Sequence, residues 1–277
     1  MDENYKQMMR QTMKMSGMSD EQIEATLAMQ EAAMQQYANV DMLTLQQNMQ
    51  NPFVDLGGDF ENMLNSDSYF EFSENPTINQ SYQWAVACGA DLIHLRADII
   101  NDLTTGTDSE TCIHILSQQW GIDTKADFIK MADSLKGGRH SVIYQRLAAG
   151  EKIAKYEEEK ENLQEALAVF QNDGLATTVP NMLIWDLGRL INISRFAFDA
   201  QLIDRQTALA YIKESALLVK KNYNSWKELS VGYQFGRAVW GGLEEYETLK
   251  GGMEQLLTEE DSPWVTLPFD MKLEFEG

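Results

Sequence analysis

Two aspartates and two arginines interrupt an otherwise apolar run, WDLGRLINISRFAFD, at residues 185–199. Acid pairs can exchange protons with a substrate, and arginine can bind an anionic group. Asp186 and Arg189 stand three residues apart, which predicts an ion pair along a helix. Arg195 and Asp199 stand four apart, which predicts a second. An acid paired with arginine stays ionised and is a weak general acid or base, so the spacing favours a polar network over catalysis.

A helical wheel separates the polar residues of this run from its apolar ones. The polar arc faces water, a cavity or another helix, and it comprises Asp186, Arg189, Asn192, Arg195 and Asp199. A partner helix is predicted at residues 225–242, where Gly232 and Gly236 share one face. Glycine inside a helix costs about 1 kcal/mol relative to alanine, so this pair predicts a close helix crossing. Gly188 is expected to supply the matching gap.

The two segments together define the candidate site. Arg237 is expected to stack on Tyr233 and to reach Asp186 or Asp199 across the crossing. The site is predicted to be a polar network or a ligand pocket formed by Asp186, Arg189, Asn192, Arg195, Asp199, Trp226, Tyr233 and Arg237. No residue is assigned a catalytic role.

Other reactive groupings carry weaker signals. Asp91, His94 and Asp98 can share a helix face, but no second histidine lies one turn away, so no metal site is predicted. The GGRH segment at residues 137–140 can bind an anion, although a helix end is the favoured interpretation. The chain contains none of the glycine-rich phosphate or dinucleotide motifs and no nucleophile elbow, so no cofactor is predicted.

The elements that position these residues are predicted to be helices. Capping boxes at Thr107, Thr124 and Ser225 mark helix starts, and glycine pairs at 137–138 and 241–242 mark helix ends. The predicted helices cover 82–103 as one helix or two, 107–120, 124–137, 139–171, 182–202, 205–222 and 226–240. The fold class is therefore all-α, a single multi-helix domain with a close glycine-mediated crossing.

Composition divides the chain near residue 80. Residues 1–80 carry 13 acidic and 3 basic residues, and the first 50 hold 10 of the 15 methionines. A capping box at Ser19 predicts a helix there. We therefore predict an acidic, Met/Gln-rich helical N-terminal arm and linker at 1–80, and a helical domain at 81–277 that ends in a short extended strap.

The net charge of −21 bears on partners. A field of this sign repels phosphate backbones and anionic lipid surfaces, so neither nucleic acid nor a membrane is expected as a partner. A basic protein would be attracted. The polar N-terminus resembles no signal peptide, and the two cysteines form no CxxC pair, so the cytoplasm is the expected compartment.

Several short motifs resemble a known family. They are WDLGR, SWKE, the Y-x-x-G-R-x-x-W spacing of Tyr233 to Trp240, and L-x-x-x-W-G-I at Leu116 to Ile122. Together they resemble a bacterial family known only as domain of unknown function 1266, over about residues 84–245. The resemblance implies a helical bacterial cytosolic protein and brings no reaction with it.

Two function classes follow from these observations. The favoured one is a non-enzymatic protein-interaction module, of which toxin neutralisation or another accessory role in bacterial stress is one concrete version. Self-association into a homo-oligomer stays open. The alternative is a small-ligand binder or enzyme with a pocket around the Asp/Arg cluster of 186–199 and 233–237. A closed network favours the first class, whereas buried polar groups that converge on a ligand favour the second.

Overall fold

The computed structural model describes residues 70–275, without the side chain at position 249. The predicted N-terminal helix and most of the predicted arm lie outside these residues. The helices, numbered here in chain order, are α1 Gln80–Ala87, α2 Ala90–Leu95, α3 Ser109–Trp120, α4 Lys125–Lys136, α5 Ser141–Ala148, α6 Glu157–Asn172, α7 Leu183–Asp199, α8 Arg205–Asn222, α9 Trp226–Thr258 and α10 Pro263–Thr266. The all-α prediction is confirmed.

Helix α7 forms the centre of the domain. It packs against α2, α3, α4, α5, α8 and α9, and every residue from Ile184 to Ala197 is buried. Four of the five residues of the predicted polar arc, all except Asp199, are therefore covered by protein and do not face solvent. Because burying an uncompensated charge is costly, each charged side chain on this helix needs a partner or a functional reason to be there.

The predicted close crossing forms between α9 and the start of α7. A Cβ added at Gly232 would lie 2.3 Å from the carbonyl oxygen of Asn181, and one at Gly236 would lie 2.8 Å from Cβ of Trp185. Neither position has room for a side chain. Gly188 differs from the prediction, because a Cβ there would meet its nearest neighbour, Tyr233, at an ordinary 3.6 Å. The gap is thus supplied by the two α9 glycines.

The observed helices differ from the predicted ones in four places. The segment predicted as one helix or two at 82–103 forms α1 and α2, but α2 ends at Leu95 and residues 96–103 are not helical. Helix α3 is capped by Asp108, whose side chain accepts the N–H of Thr111, while the predicted cap Thr107 bonds Asp98 instead. The predicted helix 139–171 is two helices, α5 and α6. Between them the backbone turns at Gly150, where φ is +88°, a conformation that favours glycine.

The predicted end of the 226–240 helix is a kink. Gly242 has φ 79° and ψ 175°, which breaks the helical geometry, and α9 then resumes and runs to Thr258. The first part of α9 therefore carries the crossing with α7, and the second part packs along α2 and α6.

The C-terminal residues 267–275 are called here the C-terminal strap. Residues 271–275 of this strap form neither helix nor strand. Lys220 on α8 donates hydrogen bonds to the carbonyls of Phe269 and Met271. Further along, the backbone N–H of Glu274 donates to the Ser81 hydroxyl at 2.7 Å. In the part of the chain that the structure describes, no helix is both long enough and apolar enough to span a bilayer.

Candidate functional site

Asp186 joins two helices that are distant in sequence. Its carboxylate accepts the backbone N–H of Ser141 at 2.8 Å, the backbone N–H of His140 at 3.1 Å and, at 2.6 Å, Nδ1 of the His140 ring. It therefore occupies the N-terminus of α5, where the unsatisfied N–H groups and the helix dipole favour an anion. Asp186 is fully buried, so these donors replace its lost hydration.

The pKa values of Asp186 and His140 determine which ring nitrogen of His140 carries the proton. Burial opposes ionisation of Asp186, but His140 and the backbone donors outweigh it and hold the pKa of the carboxyl below its ordinary value. Burial likewise holds the pKa of His140 below its ordinary value, although Asp186 opposes that shift. His140 is consequently neutral near pH 7 and donates its Nδ1 proton to the carboxylate. Its Nε2 then carries a lone pair that can accept a hydrogen bond or a proton.

Arg189, one turn further along α7, is buried in a different way. Its guanidinium carbon lies 3.5 Å from the centre of the Trp185 ring and 5.3 Å from that of Trp240. The residue is only 7% exposed. Even so, its guanidinium makes no hydrogen bond and no ion pair with any residue in the range 70–275, and Nη1 is completely enclosed. Aromatic contact stabilises the cation but leaves its N–H donors unused.

Three side chains converge around Arg189. The His140 ring packs edge-on against Trp240, with ring centres 5.4 Å apart, and against Tyr144 at 6.4 Å. The charge of Arg189 acts on both His140 and Tyr144. The enclosed Tyr144 hydroxyl has no hydrogen-bond partner among residues 70–275. The cluster of Arg189, His140, Tyr144 and Trp240 is called the Arg189 cluster below. This cluster contains the Arg189 N–H donors, which have no hydrogen-bond partner among residues 70–275, and one lone pair, on Nε2 of His140.

A second group of polar side chains adjoins Trp185, whose ring centre lies 5.7 Å from the guanidinium carbon of Arg237. Arg237 binds Glu245 at 3.1 Å and the Tyr233 hydroxyl at 3.1 Å. Asp91 on α2 is 1% exposed, and within the described residues neither of its carboxylate oxygens is hydrogen-bonded. Burial raises the pKa of Asp91 to about 7, with the Arg237 charge partly opposing the shift. Asp91 is thus poorly suited to being ionised where it lies.

The other two charged residues of the predicted polar arc, Arg195 and Asp199, bind the loop that precedes α3. Arg195 donates Nε to the Leu103 carbonyl at 3.2 Å and Nη2 to the Thr104 carbonyl at 2.8 Å, and a third bond goes to the Ile99 carbonyl. Asp199 accepts both the N–H and the hydroxyl of Thr105 at 2.7 Å. These contacts fasten the loop before α3 to the end of α7.

Two further predicted site residues are also structural. Asn192 donates to the carbonyl of Gly188 at 2.9 Å and to that of Gly89 at 3.3 Å. Trp226 stacks on Trp264 with ring centres 5.7 Å apart, and its indole N–H donates to the carbonyl of Leu267 at 2.8 Å. Trp226 thus anchors the C-terminal strap and takes no part in the Arg189 cluster.

Several predicted contacts are wrong. The Asp186–Arg189 and Arg195–Asp199 ion pairs are absent from the described structure. Asp186, Arg195 and Asp199 bond other elements instead, and Arg189 lies against Trp185 and Trp240. Arg237 pairs with Glu245 rather than with Asp186 or Asp199. Asp91, Tyr144 and Glu245 were not expected in the site. The GGRH segment indicated anion binding near His140 in the sequence, but its two glycines favoured the interpretation as a helix end.

The structure gives no support for a metal centre. No group of three or more His, Cys, Asp or Glu side chains in the range 70–275 is arranged to hold an ion. Of the residues considered for that role, His94 bonds Gln255 at 2.8 Å and Asp98 accepts the Thr107 hydroxyl at 3.2 Å.

Comparison with known proteins gives one match. Residues 115–269 match the family described as "Protein of unknown function (DUF1266)". This range includes the second half of α3, all of α4 to α10 and all four members of the Arg189 cluster. No curated protein and no solved structure matches the chain.

Proposed function

Because the chain belongs to the DUF1266 family, whose description names no activity, we propose its function from its own residues: it binds a small anionic ligand at the Arg189 cluster. The observation that carries the proposal is the Arg189 guanidinium, 7% exposed and without a hydrogen bond to any described residue. A buried donor without a protein partner needs an explanation, and a bound ion or ligand is one of them. A ligand oxyanion would supply the partner that the protein does not.

Arg195 on the same helix provides the internal comparison. It is more deeply buried than Arg189, yet it makes three hydrogen bonds to backbone carbonyls, and only its Nη1 lacks a partner. Burial on α7 therefore does not by itself leave an arginine without partners. The difference supports a role for Arg189 outside the fold.

The chemistry of the Arg189 cluster fits an oxyanion. The planar guanidinium presents paired N–H groups that match carboxylate or phosphate oxygens. The flanking tryptophans hold it in place and limit the access of water, which strengthens an electrostatic contact. Only about a fourteenth of the Arg189 and His140 surfaces is exposed, at 7% each, so the ligand group that enters is small.

Calorimetric titration tests the proposal. The probes are inorganic phosphate, sulfate and acetate, added separately to the full chain and to Arg189→Met. Loss of a charge-assisted pair should weaken binding by roughly 10- to 100-fold. The control is Arg205→Met, which removes an exposed arginine that bonds Thr77. Binding that is equal in wild type and Arg189→Met, or absent with every probe, contradicts the proposal.

A protein-interaction role is a second candidate, favoured by the charge distribution. Residues 1–80 carry a net charge of −10, from 3 basic and 13 acidic residues. We propose that this arm attracts a basic protein partner in a bacterial cytosol, with toxin neutralisation as one version. Deletion of residues 1–69 keeps the buried Phe70 and Ile78 and the Asn79 cap of α1. It should abolish co-purification of the partner while the remaining domain keeps its thermal unfolding transition. Unchanged co-purification would rule out the arm as the binding element.

A further inference from the structure

We infer that the Arg189 cluster selects an oxyanion that also carries a hydrogen-bond donor, such as hydrogen phosphate or a 2-hydroxycarboxylate, with His140 Nε2 as the acceptor. The inference rests on the proposed anion binding at Arg189 and adds the chemical class of the ligand. Its basis is the side-by-side placement of a cation with unused donors and a neutral imidazole with an unused lone pair.

The tautomer of His140 is fixed by its surroundings. Nδ1 lies 2.6 Å from an Asp186 oxygen that also receives the backbone N–H of His140. An ionised carboxylate surrounded by donors accepts the Nδ1 proton, so Nε2 is left as the acceptor. The N-terminus of α5 is not itself the anion site, because Asp186 already occupies it.

Nε2 of His140 has no hydrogen-bond partner among residues 70–275. No hydrogen bond from any described residue reaches it, and it is not among the completely enclosed polar atoms. The ring and the Arg189 guanidinium contact the same Trp240, at 5.4 and 5.3 Å. A ligand at this tryptophan therefore meets a donor surface from Arg189 and an acceptor from His140.

This pairing discriminates between anions of equal charge and similar shape. Hydrogen phosphate offers oxygens to Arg189 and a P–OH proton to Nε2, whereas sulfate has no proton to donate. A 2-hydroxypropanoate differs from propanoate in the same way. A site built around a hydrogen bond rejects the analogue that lacks it, because its own buried group is left unpaired. One such bond predicts a preference of roughly 10- to 100-fold.

Competitive titrations in slightly alkaline buffer test the inference, with phosphate against sulfate and 2-hydroxypropanoate against propanoate. The first pair detects a phosphate-type ligand and the second a hydroxycarboxylate. The decisive variant is His140→Asn, whose side-chain amide can still donate to Asp186 but has no atom at the Nε2 position. We expect wild type to prefer the donor-bearing member of at least one pair and His140→Asn to bind both members about equally.

Asp186→Asn supplies an independent variant. Its amide can donate to Nδ1, which makes Nε2 an N–H donor. Phosphate and sulfate both offer acceptor oxygens to this donor, so the preference for phosphate over sulfate should be lost. Equal binding of both members in wild type overturns the inference and leaves anion binding at Arg189 intact. A preference that persists in His140→Asn also overturns it. If wild type binds none of the four anions, the proposed function itself fails, and this inference fails with it.

Discussion

Replacement of Asp186 by asparagine tests whether this carboxylate holds α5 and α7 together. The carboxylate accepts Nδ1 of His140 at 2.6 Å, the N–H of Ser141 at 2.8 Å and the N–H of His140 at 3.1 Å. Asparagine keeps one acceptor oxygen. Its NH₂ group can donate to Nδ1 of His140 in the other tautomer, but it also faces the backbone N–H of His140, which is left without an acceptor. Loss of two charge-assisted hydrogen bonds, at about 1.5–3 kcal/mol each, predicts a decrease of about 3–5 kcal/mol in the free energy of unfolding.

Thermal and urea unfolding measure this loss. For a domain of this size each kcal/mol shifts Tm by about 2–4 °C, so Tm should fall by roughly 6–20 °C. The matched control is Asp204→Asn at the exposed N-cap of α8, where the side chain accepts the N–H of Thr207 at 2.8 Å. Asparagine caps helices about as well as aspartate, so this variant should be almost neutral. Equal shifts in the two variants would refute the assigned role of Asp186.

The pH dependence follows from the same pair. The pKa of Asp186 lies below its ordinary value, so its contribution is present above about pH 4 and is lost as pH falls through the lower folded value. The pKa of His140 is lowered as well, so wild-type stability begins to fall below about pH 6.5, where the unfolded chain takes up the proton first. The difference in stability between Asp186→Asn and wild type should therefore persist from neutrality down to about pH 4 and shrink below it, where the carboxyl takes up its proton.

Four further variants test the fold. Gly232→Ala should destabilise the domain by about 1–3 kcal/mol in urea unfolding, because its Cβ would lie 2.3 Å from the Asn181 carbonyl oxygen. Gly251→Ala, with nothing within 4 Å, should be neutral or stabilising by up to about 1 kcal/mol. The raised pKa of Asp91, about 7 against 3.8, means that stability is lost as pH rises between these values. Asp91→Asn should remove this loss, on the order of 4 kcal/mol, and stabilise the protein at about pH 8 but not at about pH 4. Lys220→Met should accelerate amide hydrogen exchange in the C-terminal strap, and unchanged exchange would contradict its anchoring role.

The local features of the fold were predictable from the sequence. Helix α8 runs from Arg205 to Asn222, as predicted, because Asp204 caps its start. The paired glycines of α9 likewise predicted the close crossing, since two helix-interior glycines are costly unless space requires them. These signals depend on residues within one or two turns of each other.

The site depended on contacts that no local pattern carries. His140 and Asp186 are 46 positions apart, so helical spacing could not pair them. The wheel separated the polar arc of α7 correctly but could not show that other helices cover it. Arg189 and Arg195 look equivalent on that wheel. Only the packing shows that one binds backbone carbonyls and the other faces tryptophans.

The central claim is that Arg189 is held for a ligand and not for the fold. The most direct measurement compares the unfolding free energies of Arg189→Met and Arg195→Met without added anion. Removing a buried charge that lacks hydrogen bonds offsets the lost aromatic contact, so we predict unchanged or higher stability for Arg189→Met. Arg195→Met leaves three carbonyls without donors and should lose several kcal/mol. A comparable loss in both variants would contradict the account.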